Sequence, residues 1–266
     1  MKTILTGWFL SAALLAQTTA NPATPPMPRD AQGHPDLTGV WQPGSTRPGT
    51  WEEANSGGGF GGGPVGRGAR GGPPPRPEPA PYQDWAKAKV QESFNLRGID
   101  DPQARCLMGG VPRSSTMGLF PMQIVQTPAQ VIFLYEYFHE FRVVPLNAKH
   151  PDDLEPAFMG DSVGHWEGDT LVVDVTGFND KTWIGPVGSF HSEAMHLIER
   201  YTRVDANRVN YEATVEDPKV LTKPWIIRTS MMLRPGTRLR EYECEENNTD
   251  LKRYEELLKN ESLFRR

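Results

Sequence analysis

The sequence predicts an all-β fold, an antiparallel meander that closes into a barrel with short helices at its flanks. Three observations predict it. Runs rich in aromatic and β-branched residues recur from about Gln123 onward, short turn signals separate them, and no helical period intervenes between them. Successive hairpins without crossover helices imply antiparallel pairing, and closure removes the edges that so many strands would otherwise expose. An all-β domain can use most of a 266-residue chain by itself.

The elements follow in chain order. Residues 1–20 read as a secretory signal: Lys2 gives the positive start, residues 4–15 the apolar stretch, and Thr18, Thr19 and Ala20 the small residues before a cut at Asn21. A short uncleaved anchor is the alternative, and the polar, Pro-rich leader over 21–36 argues against it. Residues 37–41 form a first strand. Residues 44–81 are a Gly/Pro-rich insertion, too poor in apolar groups to offset its conformational entropy, and are expected to be disordered. No Lys-Ser or Lys-Thr follows its glycines, so it is not a phosphate loop. Over 81–95, Tyr82, Ala86, Val90 and Phe94 line one face of a short helix. Residues 100–120 are irregular and carry Cys106.

The β-rich part follows. Residues 130–146 read as one long central strand with large apolar groups on both faces. Three hairpins come next: 162–166 with 170–176 around Gly168, 194–204 with 209–215 around Asn207, and 226–233 with 239–244 around Pro235-Gly236. The barrel domain spans 37–248, and 249–266 holds a C-terminal helix with Thr249 as its N-cap.

Charge and cysteines narrow the function classes. The net charge is −5 and no basic run of useful length occurs, so nucleic acid is a poor partner. No segment after the signal approaches the roughly 18 apolar residues of a membrane span. Export makes Cys106 and Cys244 a candidate disulfide worth on the order of 4–5 kcal/mol, with two buried thiols as the alternative. Their spacing does not fit a cysteine-based metal site.

Three segments carry a resemblance: Phe158 to Asp174 (FMGDSVGHWEGDTLVVD), His191 to Tyr201 (HSEAMHLIERY) and Glu216 to Trp225 (EDPKVLTKPW). They resemble a family of secreted bacterial proteins known mainly as hypothetical proteins, over roughly 37–41 and 106–248. That resemblance implies export and no particular activity. Gly39-Val40-Trp41 is also similar to the first-strand Gly-x-Trp of calycins, the lipocalin-like barrels. With a meander following it, this implies a calycin-like barrel.

Candidate chemistry centres on histidine. His191 and His196 flank Glu193 where a loop enters a strand. On a continuous strand, 191, 193 and 199 share one face and 196 and 200 the other, so a histidine–carboxylate pair is easier to build than a two-histidine metal site. Glu136, Glu140 and Arg142 share a face of the long strand, where buried charges need partners. His34 and His150 read as solvated, and His139 as structural. Asp161, Asp174, Asn179, Asp180 and Asp217 read as turn caps.

Two function classes stay open. One is a secreted acid–base enzyme, a lyase, hydrolase or isomerase acting on a small organic or sugar-like substrate. His196, His191, Glu193 and Glu136 would be catalytic there. Arg142, Tyr137, Phe138, Trp166 and Arg200 would bind substrate. The other is a noncatalytic lipocalin-like binder that encloses a hydrophobic ligand with Tyr135, Tyr137, Phe138 and Trp166. No cofactor is expected; a divalent metal held by His and Glu stays open.

Overall fold

The computed structural model describes residues 26–44, 80–96, 99–116, 118–185, 188–246, 248 and 250–259. The expected export signal and residues 45–79 of the insertion lie outside them. Among the described residues nine strands form one sheet: β1 (Gly39–Pro43), β2 (Met122–Gln126), β3 (Gln130–Tyr135), β4 (Phe141–Pro145), β5 (Asp161–Glu167), β6 (Thr170–Thr176), β7 (His196–Asp205), β8 (Arg208–Glu216) and β9 (Trp225–Leu233). Their spatial order is β4-β3-β2-β1-β9-β8-β7-β6-β5. Every paired neighbour is antiparallel, and β1 completes the meander by pairing with both β2 and β9.

Strand direction alternates around an odd number of strands, so the two end strands, β4 and β5, run parallel. They meet through one parallel bridge, Leu146 with Gly164, and the Asn147 N–H donates to the Gly164 carbonyl at 2.7 Å. Glycine permits this approach: a Cβ at position 164 would stand 2.9 Å from Val144 Cγ1. The result is a nearly closed antiparallel barrel, as the sequence predicts.

Alternation sets the core. In β7, Leu197, Glu199, Tyr201 and Arg203 point inward while His196, Ile198, Arg200 and Thr202 point outward. Val209, Tyr211, Ala213 and Val215 of β8 and Leu171, Val173 and Val175 of β6 continue the interior. One end is covered by the leader. Trp41 is fully buried, its Nε1 donates to the Leu37 carbonyl at 2.8 Å, and the Arg203 guanidinium lies 5.2 Å from its ring centroid. Arg29 pairs with Asp169 at 2.8 Å, and His34 stacks on Trp166 at 4.7 Å. The other end is covered by residues 99–116, including a short helix α2 (Arg113–Thr116). Helix α1 (Asp84–Asn95) buries Ala86 and Val90 nearby, and helix α3 (Asp250–Lys259) follows the barrel.

Three sequence readings change. The long strand over 130–146 is a hairpin: the Tyr135 N–H donates to the Glu140 carbonyl at 2.8 Å, and Phe138 and His139 turn the chain with φ of 58° and 51°. The turn shifts the alternation. Odd-numbered residues of β3 face inward, whereas Arg142 and Val144 do so in β4. Phe141 and Val143 are therefore exposed, so this strand is not covered on both sides. Residues 239–244 form no strand, because β1 occupies the edge of β9.

Candidate functional site

Three groups of side chains qualify as sites. The first is inside the barrel. Arg142 ion-pairs with Glu199, its Nη2 donates to Tyr201 Oη at 3.1 Å, and its guanidinium lies 4.8 Å from the Phe133 ring centroid. Glu199 Oε1 accepts from Tyr201 Oη at 2.9 Å and Tyr211 Oη at 2.8 Å. Ser115 of α2 bridges Tyr135 and Tyr201 at 3.1 and 3.3 Å. All six of these polar residues are buried. Burial pushes Tyr135 up to about 12 and, with Glu199 adding to it, Tyr201 and Tyr211 well above the usual phenol range. Burial opposes the charge on Arg142, but Glu199 outweighs it and keeps the guanidinium protonated. Such a group holds an ionised pair in an apolar interior by answering nearly every donor with an acceptor; Arg142 Nε has no partner among the described residues.

The second group runs across the outer wall. His196 lies between Asp174, 2.9 Å from Nε2, and Glu216, 3.2 Å from Nδ1. Asp174 also meets His150 Nε2 at 2.9 Å, and His150 Nδ1 lies 2.6 Å from Asp161. Adjacent strand pairing produces the array, with Asp161 on β5, Asp174 on β6, His196 on β7 and Glu216 on β8. An imidazole donates to two carboxylates at once only when protonated. Partial burial would lower His196, but the hydrogen bonds to Asp174 and Glu216 prevail and hold it above the usual histidine range.

The third group surrounds a recess of about 330 Å³ beside the disulfide. Tyr137 comes from the β3–β4 turn, Gln103 from a 3-10 turn over Pro102–Arg105, Tyr242, Glu243 and Glu246 from the tail after β9, and Tyr254 from α3. The Cys106–Cys244 disulfide joins the segment of Gln103 to that tail. The tail is also tied to the turn: the Arg240 N–H donates to Glu136 Oε2 at 2.7 Å and the Tyr242 N–H to His139 Nε2 at 2.8 Å. Tyr137 packs between Phe120 and Tyr242, with centroids at 4.5 and 4.9 Å. Burial, reinforced by Tyr242, keeps its hydroxyl protonated.

The residues singled out from sequence therefore scatter. His191 is buried away from His196: its Nε2 meets Thr182 Oγ1 at 2.6 Å and its Nδ1 the Ser192 carbonyl at 3.0 Å, and burial holds it below the usual range. Glu193 is exposed in the turn before β7. Glu136 lies outside the barrel and Arg142 inside it, so they share no face; Glu140 does share the inward face with Arg142 and accepts from Ser114 Oγ at 2.5 Å. Phe138 packs on Tyr137, Trp166 sits at the opposite end of the barrel under His34, and Arg200 meets Glu167 at 2.7 Å on the outer wall. His150 is paired rather than solvated, and Asp161 and Asp174 face histidines rather than capping turns. Asp217 does cap, accepting from the Ser192 and Lys219 N–H groups at 2.6 and 3.2 Å. Among the described residues no group of three or more His, Cys, Asp or Glu side chains is placed to hold a metal ion.

Sequence reasoning missed Glu199 as the partner of Arg142, although its inward phase between Leu197 and Tyr201 carries the signal. It also missed Gln103, Tyr242 and Tyr254, which no local pattern marks.

The fold is a nearly closed antiparallel β-barrel with an internal ion pair, and among its described residues no helix is long and apolar enough to cross a membrane. No family model matches the chain. No curated protein matches it either. Among solved structures, a mutant of the fluorescent protein UnaG is similar at 11% identity, over 54% of this chain and 89% of that chain, with a TM-score of 0.28.

Proposed function

We propose that this protein is an exported, noncatalytic binder of a small organic molecule, and that the recess beside the disulfide is its ligand site. The observation that carries this reading is the recess itself. It is an open recess rather than an enclosed cavity; its volume lies at the lower end of the roughly 300–1,000 Å³ typical of ligand pockets, and three tyrosines stand in its wall. The barrel interior offers less: its ionised groups are enclosed and occupied by one another. The acid–base reading stays second: His196 has its carboxylate partners, Asp174 and Glu216, on the outer wall, while His191 is buried against Thr182 and Glu136 accepts from the Arg240 N–H. Export is supported by the residue pattern over 1–20 and by the disulfide, which belongs to oxidising compartments.

The test uses protein recovered from the periplasm of a secreting host, whose intact mass should correspond to a chain beginning near Asn21. A panel of aromatic acids, amines, sugars and fatty acids is screened by ligand-observed NMR. At least one class should bind, return chemically unchanged, and lose binding in Tyr242→Ala. Conversion of a panel member to product, or binding that Tyr242→Ala leaves intact, would overturn the proposal.

A further inference from the structure

We propose that the Cys106–Cys244 bond is a reducible tether, opened by small thiols that attack the Cys244 sulfur. Two observations point to that sulfur rather than to its partner. The first is access. Both cysteines are half-buried, but Cys244 is among the residues that line the open recess and Cys106 is not. Exchange requires a thiolate to reach the sulfur it attacks, and an open recess admits a small one. The second is the environment of the sulfur that leaves. Asn248 Nδ2 donates to Cys106 Sγ at 3.5 Å, and this donor stabilises negative charge as it develops there. Arg105 precedes Cys106 in the chain, whereas the exposed Glu243 and Glu245 flank Cys244 and Glu246 follows them. Positive charge favours a thiolate and negative charge disfavours it, so Cys106 is the better leaving group.

The exchange runs in two displacements. A thiolate RS⁻ attacks Cys244 Sγ and forms a mixed disulfide there. The Cys106–Cys244 bond breaks, and its electron pair leaves on Cys106 Sγ, which takes a proton from water. A second thiolate attacks the RS sulfur of the mixed disulfide, giving RSSR and the Cys244 thiolate, which is protonated in turn. Two small thiols are thereby oxidised to one disulfide while the protein gains two thiols. The backbone anchors of the tail, Arg240 on Glu136 and Tyr242 on His139, both precede Cys244. Reduction therefore removes the covalent hold on the chain beyond them, which carries Asn248 and α3, and leaves the strand ladders in place. The glutamates around Cys244 also select among thiols. A thiol that carries an ammonium group is attracted to them, and one of net negative charge is repelled.

The test treats the oxidised protein with cysteamine, which carries an ammonium group, or with glutathione, which is anionic. Aliquots are stopped with excess N-ethylmaleimide, and peptide mass spectrometry reads each cysteine. Early in the reaction, cysteamine should be at least tenfold more abundant on Cys244 than on Cys106, with maleimide on Cys106. That ratio should fall in urea-unfolded protein, and Asn248→Ala should lower the native ratio about threefold. At equal thiolate concentration cysteamine should react at least threefold faster than glutathione. Replacing Glu243, Glu245 and Glu246 by Gln should narrow this difference. Reduced protein should keep its far-ultraviolet circular dichroism, while the Asn248 amide, which donates to the Glu245 carbonyl at 3.2 Å, should lose hydrogen-exchange protection. Equal adducts on the two cysteines, or an excess on Cys106, overturn the assignment of the attacked sulfur. Exchange no faster than global unfolding overturns access through the recess, and unchanged protection at Asn248 overturns the tether.

Discussion

His191 is enclosed between Thr182 and the edge of Phe178, 5.7 Å away, and burial holds its imidazole neutral. A group depressed in the folded state contributes stability above its unfolded value of about 6.5, and this is lost as pH falls toward its folded value. His196 has the opposite sign. Its raised value means that pairing with Asp174 and Glu216 stabilises fully below about pH 6.5 and fades as pH rises through the folded value. His196→Ala should therefore destabilise more at about pH 5.5 than at about pH 8.5 in urea unfolding, by a small amount because the side chain is 36% exposed. An equal effect at both pH values would refute this sign. Inside the barrel, Arg142→Met strands the Glu199 carboxylate in an apolar interior and should cost about 3–5 kcal/mol. Arg142→Met combined with Glu199→Leu should recover much of that loss, because no unpaired charge remains. If Arg142→Met unfolds at the wild-type urea concentration, the ion pair is not structural.

Most strands were legible because their alternation is strict. LIERYTRV alternates large inward groups with outward ones, and SVGHW and TLVVDVT flank a turn with glycine at 168. The β3–β4 hairpin was not legible. Its turn, Glu136-Tyr137-Phe138-His139, contains no Gly, Pro, Asn or Asp, so nothing punctuates the run. Phe138 and His139 adopt left-handed backbone, a conformation that costs bulky residues of order 1–3 kcal/mol each. Packing among Phe120, Tyr137, Phe138 and Tyr242 is what holds it. This one missed turn misplaced Glu136 relative to Arg142, because a phase error carries every later side chain to the other face. The third hairpin failed for a different reason. Pro235-Gly236 does mark a turn, but the free edge of β9 is taken by β1, a partner almost two hundred residues away in sequence. Local signals do not rank such competitors. The candidate site was legible only at Tyr137, since Gln103, Tyr242 and Tyr254 converge through tertiary contacts.

At the scale of the molecule, the two ends of the barrel are covered by segments from outside the meander, and the disulfide governs one of them. Cys106 belongs to the segment that carries Ser115 over the polar interior, and Cys244 to the tail that borders the recess. The bond spans 138 residues, a stretch that contains eight of the nine strands. Closing so long a loop restricts the unfolded chain by about 4–5 kcal/mol in the chain-entropy treatment. For a domain of this size that corresponds to a fall in melting temperature of roughly 10–20 °C when the bond is absent. The barrel ladders, including the pairing of β1 with β9, do not depend on the bond. Cys106→Ala with Cys244→Ala should thus lower the melting temperature by that order while keeping the near-ultraviolet circular dichroism of the buried tyrosines and Trp41. Ligand binding in the recess should fall more steeply than stability, because Gln103 and Tyr242 are joined through this bond. Measuring both on one preparation separates the roles. A variant that melts as the wild type does would show that the bond adds no net stability, and one that binds as the wild type does would show that the recess is shaped without it.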